Sequence, residues 1–406
     1  MKIKNRGLSP ILILVITVFI DMTGYGIIIP LLPFYVESFQ AGPTALGILI
    51  ASFAVMQFFF SPLIGSASDK FGRKPILLFS LFISLISFTL FSFANSYLIL
   101  LLSRIIAGIA TERAVAQAYI ADVTDKKTRA KQLGKIGAGL GAGFILGPAI
   151  GGVLSTFGFS VPGYAAMLLT ITNIIFVFYF LPESNRIKNN LVKKTKSTLS
   201  YGQGILKTLR TPLFGPTLLI LFIITFAFSA IPVIVPILTI EFYNFSSLEL
   251  SYLFIYIGLI QIFLQGFLIG KLVARVGEEK LIIAGPMLMG IGIFLMPIFE
   301  SVYLFFVASA LMAVGFGMVN TAIPALISKK TQLEEQGRVL GVAGSVVSIA
   351  NIPGPLLGGL IIDFLGLSAP FLIAAFMLII SVILGCRVYG ECKLAIESRK
   401  LKNNSI

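Results

Sequence analysis

Histidine and tryptophan are absent from the chain, and cysteine occurs twice. Without imidazole, and with two thiols, the sequence has little means of building a zinc centre or a histidine general base. A disulfide-stapled secreted fold is excluded on the same grounds. Charge is scarce as well: 12% of the 406 residues are Asp, Glu, Lys or Arg, where soluble domains carry about a quarter. No G-x-x-x-x-G-K-[ST] phosphate loop occurs, so nothing points to ATP-driven work. The chain therefore does not read as an enzyme, and neither a cofactor nor a metal is expected.

Apolar residues make up 57% of the sequence, close to what twelve membrane helices of about 20 residues each require. Apolar runs lie near 10–33, 44–66, 75–95, 97–121, 133–156, 162–181, 212–238, 247–270, 281–299, 303–328, 338–361 and 367–389. The fold class is all-α integral membrane, with twelve transmembrane helices. Apart from Arg104 and Arg113, every Lys and Arg falls in segments on one side of these spans. The positive-inside rule puts that side, with both termini, in the cytoplasm of a plasma-membrane protein. The net charge of +14 is then a topology signal, and no nucleic-acid partner is implied. Lys2, Lys4 and Arg6 before an apolar run suggest a signal peptide, but Asp21 interrupts the run and no small-residue cleavage site ends it. It reads as an uncleaved first span.

The longest polar stretch, 182–211, carries Lys193, Lys194 and Lys196 and reads as a cytoplasmic basic linker. It separates an N-terminal six-helix bundle, 1–181, from a C-terminal one, 212–406, that ends in a short cytoplasmic tail. The halves repeat. Gly65-x-x-x-Asp69-Lys70-x-Gly72 is matched by Gly270-x-x-x-Ala274-Arg275-x-Gly277 at an offset of 205, and Gly147-Pro148-x-x-Gly151-Gly152 recurs as Gly354-Pro355-x-x-Gly358-Gly359 at 207. Leu133-Gly134 against Leu340-Gly341 gives 207 again. Two six-helix bundles related by a pseudo-two-fold follow.

Asp21 to Pro30 (DMTGYGIIIP), Gly65 to Lys74 (GSASDKFGRK), Arg104 with Gly108 (RIIAG) and Gly147 to Gly152 (GPAIGG) together resemble the major facilitator superfamily. Within it they are similar to the twelve-helix drug:proton antiporters of the tetracycline and multidrug efflux type. The resemblance covers nearly the whole chain. It implies a latch at Gly65, Asp69, Gly72 and Arg73 that forms in one conformation and breaks in the other. It also implies that the helix 5 motif, Gly143, Gly147, Pro148, Gly151 and Gly152, seals the cavity against proton leak, and that Arg104 takes part in proton coupling.

From the residues alone, Gly65 and Gly72 let backbones approach or turn, and Asp69 can cap a helix or pair with a base; a plain tight turn is the other reading. The second copy has Ala274 in place of the Asp and Glu278, Glu279 in place of Arg and Lys, so the same latch is not expected there. Glycines at 139, 143, 147 and 151 form a stripe that admits a neighbouring backbone, and Pro148 permits a bend.

Ionisable groups within spans are costly, so Asp21, Arg104, Glu112 and Arg113 need partners or a wet cavity. Asp21 lies about 16 Å into helix 1 at 1.5 Å per residue, near the midplane. It is either a carboxylate that takes and releases a proton in each cycle or a static partner for Arg104. Glu112-Arg113 departs from the family pattern, where small residues commonly follow the RIIAG-like run. On a continuous helix at about 100° per residue, Glu112 lies about 80° from Arg104 and Arg113 on the opposite side, so both arginines cannot face one cavity. Glu112 is a second proton- or cation-binding carboxylate, or else Glu112 and Arg113 pair with adjacent helices and serve packing. Asp122 reads as an interfacial charge.

The resemblance implies a central cavity lined mainly by helices 1, 4, 7 and 10. Substrate-contact candidates are Tyr25, Gln57, Glu112, Arg113, Gln117, Gln261, Gln265, Asn320 and Asn351, each also able to serve interhelical hydrogen bonding. Cys386 and Cys392 read as inert thiols. The function expected is proton-coupled export of small lipophilic or amphipathic compounds by a monomer in the lipid bilayer, with protons as coupling ion. Proton-linked import of a metabolite is the alternative, and a receptor or lipid scrambler the more distant one.

Overall fold

The computed structural model describes residues 9–184, 211, 214–298, 300–331 and 335–404, with side chains left out at 126, 127, 130, 336–338 and 392–404. Lys2, Lys4, Arg6, the linker lysines and the Cys392 side chain lie outside the described residues. Among the described residues there is no strand.

The helices are α1 Pro10–Ile28, α2 Leu32–Ser38, α3 Pro43–Phe71, α4 Arg73–Ser92, α5 Tyr97–Ile109, α6 Glu112–Val123, α7 Lys126–Ser155 and α8 Ser160–Phe180. They continue as α9 Phe214–Tyr243, α10 Ser247–Phe263, α11 Ile269–Val276, α12 Glu278–Leu295, α13 Val302–Lys330, α14 Gln336–Ala350, α15 Pro353–Leu365 and α16 Ala369–Asn404. Local chemistry sets these limits. Ser9 caps α1 by accepting the Leu12 N–H at 3.2 Å, and Pro10 supplies a first-turn residue that has no N–H to leave unpaired. Gly72 and Gly277, both at positive φ, reverse the chain in a single residue between α3 and α4 and between α11 and α12.

Among the described residues, ten helices are long and apolar enough to cross a membrane. The predicted spans at 97–121 and 281–299 fall short for different reasons. The first is split into α5 and α6, and α12 opens on the charged triplet Glu278, Glu279 and Lys280.

The described residues form two units, one holding 9–184 with Asn244–Gly258, the other 214–243 with Leu259 onward. In the first unit α1 packs most extensively on α7, and the glycine stripe makes that contact possible. A Cβ added at Gly143 would lie 2.6 Å from the Phe19 carbonyl oxygen, and one at Gly147 2.6 Å from that of Thr23. Two backbones meet there with no side chain between them, the approach that small residues give membrane helices. Gly65 differs from its expected role: it sits inside α3, and a Cβ added to it would meet nothing within 4 Å.

The core of this unit is an apolar cluster of Ile13, Leu14 and Val18 on α1, Leu77 and Leu81 on α4, and Val115, Tyr119 and Ile120 on α6, joined by Ile136 and Val177. On α1 and α4 the cluster lies between the first turn and Asp21 or Ser84, and on α6 it follows Glu112, the first residue of that helix. In lipid such a core is held by close packing more than by expulsion of water. In the second unit α12 packs on α13 and α16, with Gly285 and Gly315 at the crossing.

Candidate functional site

A cavity of about 200 Å³ lies above that apolar cluster, lined by Asp21, Met22 and Tyr25 of α1, Phe53 and Gln57 of α3, Ser84, Ser87 and Phe88 of α4, and residues from Arg104 to Arg113. It gathers six of the sequence candidates: Asp21, Tyr25, Gln57, Arg104, Glu112 and Arg113. Gln117, exposed one turn beyond Arg113, is not among its lining.

Arg104 and Arg113 thus face the same cavity, contrary to the helical-wheel expectation, because helix 4 is not continuous. Ala110 takes φ −69° and ψ 124°, and Thr111 φ −137° and ψ 52°. The chain leaves the helix for two residues, and α6 starts afresh with the Thr111 carbonyl accepting the N–H groups of Ala114 at 3.1 Å and Val115 at 3.4 Å. The break resets the angular count and turns the start of α6 toward Arg104. A discontinuous helix is tolerated at membrane depth where its freed backbone groups line a cavity.

Glu112 is the first residue of α6, where a carboxylate meets the positive end of the helix dipole. It is 3% exposed and accepts a hydrogen bond from Ser84 Oγ at 2.8 Å. Arg104 is 2% exposed, and its guanidinium carbon lies 5.8 Å from the Tyr25 ring centre and 5.5 Å from that of Phe53. Among the described residues its Nε has no hydrogen-bond partner, nor has Thr111 Oγ1. No ion pair joins Asp21 to Arg104 among the described residues, so the static-partner reading of Asp21 has no contact behind it. The arginine is held by aromatic faces instead. Ser84 and Phe53 were not picked out in the sequence. A serine inside an apolar run carries no signal of its own until the fold sets it opposite Glu112.

At the turn between α3 and α4 of the same unit, Arg73 is 5% exposed. Its Nε donates to Asp122 Oδ2 at 2.8 Å, its Nη1 to Ser68 Oγ at 2.5 Å and its Nη2 to Asp69 Oδ1. The Asp69 side chain is 68% exposed and that of Asp122 4%, so Asp122 is the less screened partner. Arginine at a helix N-terminus and aspartate near a helix C-terminus both oppose the helix dipoles. Glu183 compensates at α4: its carboxylate accepts the N–H groups of Arg73 at 2.9 Å and Lys74 at 3.1 Å. A Cβ at Gly72 would stand 2.8 Å from Glu183 Oε2, so glycine is required there for space as well as for its φ. Asp69, Gly72 and Arg73 thus meet in one network, which Asp122, Ser68 and Glu183 complete. Gly65 contributes no contact.

In the helix 5 motif Gly143, Gly147 and Gly151 face α1, and Pro148 packs beside Gly26, whose added Cβ would lie 3.0 Å from Pro148 Cδ. Gly152 faces Ser251. In the second unit Gln261 Nε2 donates to the Ala313 carbonyl at 2.9 Å and Gln265 Nε2 to Gln261 Oε1 at 2.9 Å. The two glutamines share a helix face, although the backbone between them passes into a π-helical segment, Leu264–Leu268. Gln261 is engaged in interhelical bonding. Asn320 is exposed, and Asn351 ends α14. The start of α12 and the end of α13, where no latch was expected, carry two ion pairs, Lys329 Nζ to Glu278 Oε2 at 2.9 Å and Lys330 Nζ to Glu279 Oε1 at 3.7 Å.

Membrane-length helices, a cavity that holds opposite charges and ion pairs tying helix ends within each unit are the build of a polytopic membrane transporter. The chain belongs to the Major Facilitator Superfamily, whose sequence model matches residues 14–269 and 219–400. It is 27% identical over 385 residues to Multidrug resistance protein 2 of Bacillus subtilis strain 168, covering 94% of this chain and 95% of that one. It is 30% identical over 369 residues to the class H tetracycline resistance protein of Pasteurella multocida, covering 88% and 89%. The crystal structure of nucleoside transporter NupG superposes with a TM-score of 0.76 at 14% identity, over 94% of this chain and 100% of that one, a likeness of fold.

Proposed function

We propose that this protein exports small lipophilic or amphipathic compounds across the plasma membrane in exchange for protons, by alternating access. The observation that carries the reading is the cavity in which Asp21, Glu112, Arg104 and Arg113 meet aromatic faces from Tyr25, Phe53 and Phe88. Resistance proteins among its relatives support the export direction. In this reading the chain crosses the bilayer twelve times with both termini in the cytoplasm and works as a monomer. Its moving bodies are 1–181 and 212–406, tethered by 182–211.

Proton and substrate compete for the same carboxylates, which couples their flows. Asp21 and Glu112 take protons when the cavity opens outward and give them up as a substrate enters from inside. Arg104 keeps a positive charge beside them, so a protonated cavity carries an excess positive charge that favours proton release. Aromatic walls take the apolar body of a substrate, and Gln57 and Arg113 meet its polar groups. Below the cavity, Leu81, Val115 and Tyr119 belong to the apolar cluster, and the Tyr119 hydroxyl is engaged with the Pro182 carbonyl at 2.7 Å. The helix 5 glycines close the α1–α7 seam against leak. Gln117, Gln261, Gln265, Asn320 and Asn351 are the remaining substrate contacts proposed.

The test is export of ethidium, a tetracycline and a quinolone from cells producing the protein. Extrusion that stops when a protonophore collapses the proton gradient supports the reading. Extrusion indifferent to the gradient, or gradient-driven accumulation in place of extrusion, contradicts it.

A further inference from the structure

Four charged side chains line the cavity of the first unit, and among the described residues no ion pair joins either carboxylate, Asp21 or Glu112, to either arginine, Arg104 or Arg113. Opposite charges in one water-poor space attract strongly, so other contacts hold them apart. Glu112 Oε1 accepts from Ser84 Oγ at 2.8 Å, and its place at the start of α6 sets it against a favourable helix dipole. Arg104 rests instead on Tyr25 and Phe53. Their ring centres lie 5.1 Å from each other, and 5.8 Å and 5.5 Å from its guanidinium carbon.

Those rings answer the charge of Arg104 and leave its hydrogen-bonding capacity unused. A guanidinium has five N–H donors. Arg104 is 2% exposed, gives none of them to an acceptor among the described residues, and has its Nε buried without a partner. Arg113, in the first turn of α6, brings a second guanidinium to the same space. Burying charged donors unpaired is costly, and a planar oxyanion that accepts from two N–H groups at once offsets that cost. Separated charges of both signs also select by repulsion. A lone cation drawn to the carboxylates meets the arginines, and a lone anion drawn to the arginines meets the carboxylates. A compound that bears both signs matches the cavity at each end.

We propose that Arg104 and Arg113 form an oxyanion subsite, so that the compounds held best are zwitterions: a carboxylate or enolate on an aromatic body, with a protonated amine for Asp21 and Glu112. The subsite deepens the export reading and rests on it for transport, though not for binding. The amine competes with protons for the carboxylates, whereas the oxyanion adds affinity without entering that competition. The cavity of about 200 Å³ is smaller than drug-sized sites, which run from about 300 to about 1,000 Å³, and it takes the charged end of such a compound. Arg113 is the specificity-determining member. Small residues commonly stand at its position in the family pattern, so the second guanidinium is a feature of this chain.

The test is equilibrium binding at neutral pH to the full chain in lipid nanodiscs, with norfloxacin, its decarboxylated analogue and ethidium as probes, beside proton release from everted vesicles. In the parent, decarboxylation is expected to weaken binding about tenfold, as loss of hydrogen bonds to a charged group does. Arg113→Met is expected to raise the Kd of norfloxacin about tenfold relative to that of ethidium, and to shrink the difference between norfloxacin and its analogue. Arg113→Lys keeps the charge, loses the planar fork and is expected to recover part of the loss. Equal binding of norfloxacin and its analogue by the parent overturns the subsite. An Arg113→Met variant that separates the two by the parental ratio, or one that loses all three probes equally, overturns it as well. Should the arginine variants fail to fold, the comparison of the two compounds in the parent decides alone. If norfloxacin binds through its carboxylate while neither it nor ethidium evokes proton release, proton exchange fails as a reading and the subsite stands.

Discussion

Glu183 illustrates how much one side chain can repair. Arg73 and Lys74 put two positive charges on the first turn of α4, where the helix dipole is itself positive, and the Glu183 carboxylate answers both through their N–H groups. Replacing Glu183 by Ala is expected to cost about 1–2 kcal/mol, the loss of a charged cap. Thermal unfolding of the purified protein measures it, with Glu183→Gln recovering part. Glu278 has its own residue-scale signature. The hydrogen bond from Lys329 holds its carboxyl below the usual carboxylate range. A depressed carboxyl contributes stability above its unfolded pKa of about 4.3 and loses it as pH falls through the folded value. Protection of the amides at 277–284, taken relative to the intrinsic exchange rate at each pH, should therefore fall as the pH is lowered below about 4 and stay level between neutrality and about 6. Exchange insensitive to acid would remove the ion pair from the account.

Among elements, helix 4 and the α1–α7 seam decide where the chemistry sits. Helix 4 would put Arg113 on the face opposite Arg104 if it ran unbroken, and the two-residue excursion at Ala110 and Thr111 brings both to the same cavity. Single cysteines at 104 and 113, in a chain with Cys386 and Cys392 replaced by Ser, are expected to be shielded from a polar thiol reagent by the same bound compound. Shielding at one and not the other would place them on separate faces. For the seam, Gly147→Val drives a side chain into the Thr23 carbonyl, and overpacking of this kind costs about 1–3 kcal/mol. Gly65→Ala, by contrast, meets open space inside a helix and should be neutral or stabilising by up to about 1 kcal/mol. The thermal midpoints of these two variants therefore move in different directions, although both glycines belong to motifs of the same family.

For the whole molecule, the apolar runs, one-sided basic residues and the 205–207 offset made the two-fold helical plan legible in the sequence. That Asp21, Tyr25, Arg104 and Glu112 were worth singling out was legible too, because ionisable and polar groups stand out against lipid-matched helices, and the structure sets them around one cavity. The break in helix 4 was hidden by its apolar surroundings. Its trace is Thr111 followed by Glu112, a cap-and-acid pair that marks helix starts and lies here inside a hydrophobic run. Ser84 and Glu183 were illegible in a stronger sense, since each acts on an element distant in sequence. The ion pair of the second unit was within reach: the offset that matched the glycines also aligns Arg73 with Glu278 and Asp122 with Lys329. A motif read for identity sees a loss there, whereas a motif read for charge pairs sees a reversal.

The exchange of protons for substrate through one set of buried carboxylates is the central claim. Its most direct measurement is proton release from everted membrane vesicles with an acid interior on addition of ethidium, comparing the parent with Asp21→Asn and Glu112→Gln. The account predicts substrate-evoked release in the parent, none above background in Asp21→Asn, and a diminished release in Glu112→Gln. Equal release from all three proteins would contradict it.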